Sequence, residues 1–110
     1  AHAVDPFVLL QPLQPLDPLI HSALRLSIMT ILASVREADF VFLRDSIDAT
    51  DGNLSTHLLK LEGAKYVRAT KKFEDKKPKT RFTLTVVGRQ AYASYVESLE
   101  EYIRASRQAK

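Results

Sequence analysis

Residues 50–62 read TDGNLSTHLLKLE, and eight consecutive positions inside them hold an amide (Asn53), two hydroxyls (Ser55, Thr56), an imidazole (His57) and an amine (Lys60). Ser, Thr and Asn compete with helical hydrogen bonds, so a helix built only for stability would rarely place them mid-span. Their shared chemistry is directional hydrogen bonding. Asn can pair bidentately with adenine, Thr and Ser can bond several bases or phosphate, and Lys can reach guanine or the backbone. Gly52 leaves room for close backbone approach at a helix N-terminus that already favours phosphate.

Helical geometry separates these groups from the leucines. At about 100° per residue, with Leu54 at zero, Leu58 and Leu61 fall within roughly 40° and form an apolar stripe. Gly52, Asn53, Thr56 and Lys60 gather on the far side, between about 160° and 260°, with Ser55 and His57 on the flanks. Any surface helix has a polar face, so the face gains meaning from what surrounds it. Leu59, at about 140°, fits neither face. It can touch a thymine methyl, cover a margin, pack on the N-terminal arm, or simply be an exposed leucine.

The second chemical signal is charge. Residues 1–56 carry three Arg against seven acids, residues 57–81 nine Lys/Arg against three, and residues 82–110 four against three. The net +3 of the chain therefore hides one strongly basic quarter. Such a segment is either a polyanion-facing patch or a solvated lysine-rich loop.

Several function classes are set aside by what is missing. Without cysteine there is no disulfide framework, thiolate metal site or cysteine nucleophile. No G-x-S-x-G or phosphate-cradling glycine loop is present, and the three histidines (2, 21, 57) have no metal-ligand spacing. An enzyme is not expected, nor a cofactor or metal. No apolar run approaches the roughly 20 residues of a membrane span, and no secretory leader is evident, so a cytoplasmic protein without membrane attachment is expected.

The elements that must position these residues can be read in order. Residues 1–16 hold three prolines and no period, which reads as an extended apolar arm docked on the body or a partner. Asp17-Pro18 reads as the start of a helix whose Leu19, Ile20, Ala23, Leu24, Ile28, Ile31 and Leu32 recur at three- and four-residue spacings through Ala33. Asp39 can cap a short second helix (Phe40, Leu43, Ile47) and Thr50 the next, a helix-turn-helix unit. A hairpin follows, with strands 66–73 and 80–85 around a charged turn, EDKKPK (74–79), centred on Pro78. Thr85 caps a last helix, about 86–106, with a seam of Tyr92, Tyr95 or Val96, Leu99, and Tyr102 or Ile103. The fold class is mainly α with a small β-hairpin (α+β), residues 17–110 forming one domain.

This order, carried by LDPLIHSALRLSIM (16–29), DFVFLRDSI (39–47), TDGNLSTHLLKLE (50–62) and FEDKKPKTRFTLTVVGRQA (73–91), resembles the winged-helix DNA-binding domains of transcriptional regulators in the MarR/ArsR-like neighbourhood. The resemblance implies a homodimer on double-stranded DNA. Helix 50–62 would enter the major groove, with Asn53, Ser55, Thr56, His57 and Lys60 at or near the bases. The wing would lie on the backbone or minor groove, served by Lys71, Lys72, Lys76, Lys77, Lys79 and Arg81. The last helix would supply the dimer contact through Tyr92, Tyr95, Val96, Leu99, Tyr102 and Ile103, and the resemblance leaves room for a small-molecule effector. LEGAKYV (61–67) departs from the LEEAGYV type: either Lys65 takes the left-handed position that glycine usually fills, or the helix ends near Gly63. The competing reading is a winged helix used to bind protein, with the arm and the Tyr92–Ile103 seam as working surfaces.

Overall fold

The computed structural model describes residues 13–108, so most of the expected arm lies outside the described residues. Within them the order is α1 (Ala23–Ser34), β1 (Ala38–Asp39), α2 (Phe40–Ile47), α3 (Asp51–Gly63), β2 (Val67–Glu74), β3 (Lys77–Leu84) and α4 (Val86–Gln108). The three strands form one antiparallel sheet in the order β1-β3-β2.

The first helix begins later than Asp17-Pro18 predicts. Asp17 does cap a turn: its Oδ1 accepts from the Leu19 amide (2.9 Å) and its carbonyl from His21 N (2.8 Å). The turn stops there because Ser22 is extended (φ −152) and starts a new helix, accepting from Arg25 N. Two capping residues five positions apart thus divide one apolar pattern, and Ile20 in the turn is as fully buried as Ile28 and Leu32 in the helix.

The helix-turn-helix follows the caps. Asp39 is extended and its Oδ1 accepts from Phe42 N (2.8 Å), opening α2. Asp48 closes α2 in the left-handed region (φ 59), a conformation Asp tolerates better than most residues. Two residues later Thr50 Oγ1 accepts from Asn53 N (3.2 Å) and opens α3. Arg44 bonds both Asp45 (3.1 Å) and Asp51 (2.9 Å), tying the last turn of α2 to the first turn of α3.

At the other end of α3 the structure decides between Gly63 and Lys65. Lys65 takes φ 67, its amide donates to the Glu62 carbonyl (2.9 Å), and Tyr66 N donates to the Leu61 carbonyl (3.0 Å). These two bonds are the pair that terminates a helix through a left-handed residue, with lysine standing where glycine is usual. Gly63 stays helical, and a Cβ there would meet nothing within 4 Å.

The hairpin is longer and its turn tighter than the sequence predicts. β2 and β3 pair without a break from Val67↔Leu84 to Glu74↔Lys77. Only Asp75 and Lys76 make the turn, at φ 51 and 63, the two-residue form whose twist matches that of the strands. Pro78 is not the turn but a strand residue opposite Phe73. It fits because β1 pairs with β3 only at Ala38↔Phe82 and Asp39↔Arg81, which leaves β3 with an open edge near the tip where a missing N–H costs nothing. β1 itself, two residues long, has no signal in the sequence.

Every element except α4's projecting end gives residues to one core: Ile28, Met29 and Leu32 from α1, Leu43 from α2, Leu54, Leu58 and Leu61 from α3, Val67, Phe82 and Leu84 from the hairpin, and Tyr95 from α4. At roughly 1.5–3 kcal/mol for each large buried side chain, the leucine stripe of α3 dominates that helix's attachment. Leu54, Leu58 and Leu61 are all essentially inaccessible, as the angles predict.

α4 is joined through Thr85, whose Oγ1 accepts from Gly88 N (2.9 Å) and whose amide donates to the Tyr66 carbonyl (3.0 Å). The first turn of α4 lies so close to that carbonyl that a Cβ on Gly88 would sit 2.0 Å from the oxygen. Gly88→Ala is therefore expected to destabilise the fold by about 2–3 kcal/mol despite alanine's better helix propensity, because backbone on both sides must move. Its midpoint of urea unfolding checks this. Lys65→Gly should act oppositely. Relief of left-handed strain (about 1–2 kcal/mol) exceeds the extra chain entropy of glycine (about 0.5–1), and the same measurement should show a gain of roughly 0.5–1 kcal/mol.

Candidate nucleic-acid interface

Three buried leucines turn one side of α3 inward, so the opposite side is fixed in the same step. Gly52, Asn53, Ser55, Thr56, Leu59 and Lys60 are all exposed. Among the described residues, the side chains of Asn53, Ser55 and Lys60 make no hydrogen bond or ion pair. The Thr56 hydroxyl donates to the Gly52 carbonyl (2.9 Å), which leaves its methyl and its lone pairs outward. Gly52 has no positive φ and no neighbour that a Cβ would strike, so folding does not require glycine there. Leu59 stands 67 % exposed among these polar groups, and none of the described residues covers it.

His57 is held differently. Arg25 of α1 reaches across with Nη1 2.8 Å from His57 Nδ1, while its Nε donates to the Leu19 carbonyl. A guanidinium can only donate, so Nδ1 accepts and the neutral ring carries its hydrogen on Nε2. Desolvation first, then the charges of Arg25 and Lys60, hold His57 below the usual histidine range. One arginine thereby fixes the tautomer of His57 and clamps the turn at residues 18–20 onto α3. The sequence gives no sign of this pairing, which joins residues 32 positions apart.

Residues 24–103 match the protein family described as winged helix DNA-binding domain. The chain belongs to that family. It is 32 % identical over 78 residues, 71 % of this chain and 85 % of the other, to an uncharacterised protein of Methanocaldococcus jannaschii. It is similar to a transcriptional regulator homologue from Pyrococcus horikoshii OT3, with TM-score 0.74 and 30 % identity over 78 % of this chain and 85 % of that one. A further solved structure of the same fold is the transcriptional repressor CouR bound to a 23-mer DNA duplex, at TM-score 0.67 and 18 % identity over 76 % of this chain and 58 % of that chain. The neighbours of like fold include a putative MarR-family regulator from Enterococcus faecalis.

In winged-helix terms β2–β3 is the wing, and its six expected cations divide into two groups. Lys72 pairs with Glu37 (3.1 Å) and Lys79 with Glu74 (3.5 Å). Arg81 is half-buried between Glu74, to which it is hydrogen-bonded, and Asp39 at 3.8 Å, and its Nε is buried without a partner among the described residues. That hydrogen bond to Arg81 is the main reason the Glu74 carboxyl lies below its usual range. Lys71, Lys76 and Lys77 are exposed and have no carboxylate within ion-pair distance among the described residues. The structure thus brings Lys72, Lys79 and Arg81 together as internal ties and leaves Lys71, Lys76 and Lys77 outward.

The winged helix continues into α4, where the expected seam also divides. Tyr95 is buried in the protomer's own core, its hydroxyl 2.8 Å from His21 Nδ1, so it is not a partner-facing residue as the seam predicts. A tyrosine at the inner edge of an amphipathic helix is spent on the nearer body. Tyr92 is half-buried with its hydroxyl 3.0 Å from Thr30 Oγ1, and Val96 and Leu99 are half-buried. Tyr102 and Ile103 are exposed. No described helix is long and apolar enough to cross a membrane, and no described group of three His, Asp or Glu is arranged for a metal.

The Arg25–His57 contact has a signed pH consequence. The folded ring resists protonation relative to its ordinary value of 6.5, so the contribution is fully present above that value. It is lost as pH falls through the lower folded value, because the unfolded chain takes up a proton that the folded one refuses. His57→Gln, which keeps an acceptor for Arg25, should flatten this part of the curve. Urea midpoints at about pH 7.5 and about pH 5 should differ less in the variant than in the wild type.

Proposed function

We propose that this protein is a sequence-specific, double-stranded DNA-binding transcriptional regulator that acts as a homodimer. α3 enters the major groove and the wing lies along the neighbouring backbone and minor groove. The observation that carries this reading is the way the exposed polar and charged groups are sorted. Among the described residues, the unbonded amide of Asn53, hydroxyl of Ser55 and amine of Lys60 are exposed on α3, and the wing adds three lysines without a carboxylate partner. A solvated loop would need no such sorting. CouR, of the same fold, is seen on duplex DNA, and the Pyrococcus horikoshii relative is a transcriptional regulator homologue, both in keeping with this role.

Roles then divide by chemistry. Asn53, Ser55, Thr56 and Lys60 read base edges, with Thr56 offering a methyl and acceptor lone pairs. His57, locked by Arg25, presents Nε2–H at the flank of the groove, a donor suited to a phosphate. Gly52 allows the start of α3 to approach the backbone closely. Lys71, Lys76 and Lys77 meet phosphates, whereas Lys72, Lys79 and Arg81 hold the wing at its angle. Val96, Leu99, Tyr102 and Ile103 form the dimer contact on the projecting half of α4, leaving Tyr95 to the core.

With about six to ten phosphates neutralised per dimer, affinity should fall roughly 10³–10⁵-fold between about 50 and 200 mM salt. Lys77→Ala, which removes one cation from each protomer, should weaken binding to all duplexes alike and reduce the salt slope by about two units per dimer. Asn53→Ala or Thr56→Ala should instead relax base preference, costing about 1–3 kcal/mol on the preferred site alone. Titrations on selected and random duplexes separate the two classes. Failure to bind random duplex DNA even at low salt would shift the reading to a winged helix that binds protein.

A further inference from the structure

The register of the wing sorts its two faces. Arg68, Thr70, Lys72 and Glu74 of β2 lie opposite Thr83, Arg81, Lys79 and Lys77 of β3. On that face Glu37, Asp39 and Glu74 neutralise Lys72, Lys79 and Arg81. The other face starts in the core with Val67↔Leu84 and Ala69↔Phe82, and continues outward as Lys71↔Thr80 and Phe73↔Pro78. Phe73 ends this row 79 % exposed, next to the two-residue turn.

A single exposed apolar residue is ordinary. Phe73 differs by its company. It is the most exposed large hydrophobic side chain among the described residues, and the wing lysines without ion-pair partners, Lys71, Lys76 and Lys77, surround it in sequence. Aliphatic contact with the core cannot explain it, since the core ends two pairs earlier at Phe82. Nor does the turn require it, because Asp75 and Lys76 alone make the reversal. A rigid aromatic paired with a proline, with the unpaired Lys71 on its own face and Lys76 in the adjoining turn, is suited to a ligand with a polyanionic edge and flat apolar faces behind it.

We propose that Phe73, backed by Pro78, is an apolar wedge that the wing presses into the minor groove of duplex DNA, partly opening one base step beside each half-site. The proposal rests on the DNA-binding reading above. The lysines bring the tip to the phosphates, and the ring takes up surface that the groove's sugars and an unstacked step expose. Because pyrimidine–purine steps open most easily, this contact selects them at a position where no hydrogen bond is made to a base edge.

The test uses the whole chain and duplexes that the wild type selects from a random-sequence pool, with 2-aminopurine placed at one adenine at a time outside the region covered by α3. Wild-type binding should brighten the probe at one step beside each half-site. Phe73→Ala, whose thermal unfolding should match the wild type, should lose that signal and bind roughly tenfold more weakly with an unchanged salt slope. Phe73→Trp should keep the signal. The wedge is overturned if no step brightens with the wild type, or if Phe73→Ala keeps both signal and affinity. Absence of any duplex binding by the wild type would instead remove the DNA-binding reading itself, and the salt titration of the wild type distinguishes the two failures.

Discussion

Four segments of this fold meet at Tyr66. Its amide closes α3 by donating to the Leu61 carbonyl, and its carbonyl receives the Thr85 amide that opens α4. Its hydroxyl donates to Asp17 (2.6 Å), which shapes the turn ahead of α1, and the link pushes the Tyr66 hydroxyl up to about 12. The ring is thus an uncharged donor throughout the physiological range. Val67, the next residue, starts the wing. The angle between α3 and the wing is therefore set by one residue whose three polar groups are all engaged. Gly88 belongs to the same constraint, since any side chain there would push α4 off this carbonyl.

Around that junction the charges fall into two populations. Arg25, Arg44 and Arg81 reach to a histidine and to carboxylates, and each ties one element to another. Lys60, Lys71, Lys76 and Lys77 make no such links among the described residues. Side-chain chemistry accounts for the arginines, since a planar guanidinium loses less on being fixed in a bidentate or stacked site than a strongly hydrated ammonium does, while Lys72 and Lys79 are tied as well, to Glu37 and Glu74. A basic segment counted as one patch in the sequence is, in three dimensions, a set of internal ties and a set of outward charges.

What the sequence made legible was what depends on near neighbours. Asp39, Thr50 and Thr85 cap the helices they were expected to cap, and the leucine stripe of α3 faces inward as its angles required. The pieces that escaped depend on distant partners or on competition between equal local signals. Ser22 outcompetes Asp17 as the start of α1, and β1 exists only because β3 lies beside it. The turn was hidden because Pro78 is the stronger turn former on paper, yet an open strand edge accommodates it. Once the turn is placed at Asp75–Lys76, simple alternation puts Phe73 with Pro78 and Glu74 with Lys77. The pairing of Arg25 with His57, and the loss of Tyr95 to the core, had no local signature.

The two-residue turn has one more consequence. A longer loop would sample many shapes and would have to be ordered whenever a partner docked on it, at a cost that rises with every residue frozen. Here the ladder runs unbroken to Glu74↔Lys77, so the backbone of the tip is already in place before any encounter. Only side-chain rotamers remain to be restricted. A partner that met this tip would therefore have to deform to fit it, with compliance residing in the ligand rather than in the protein.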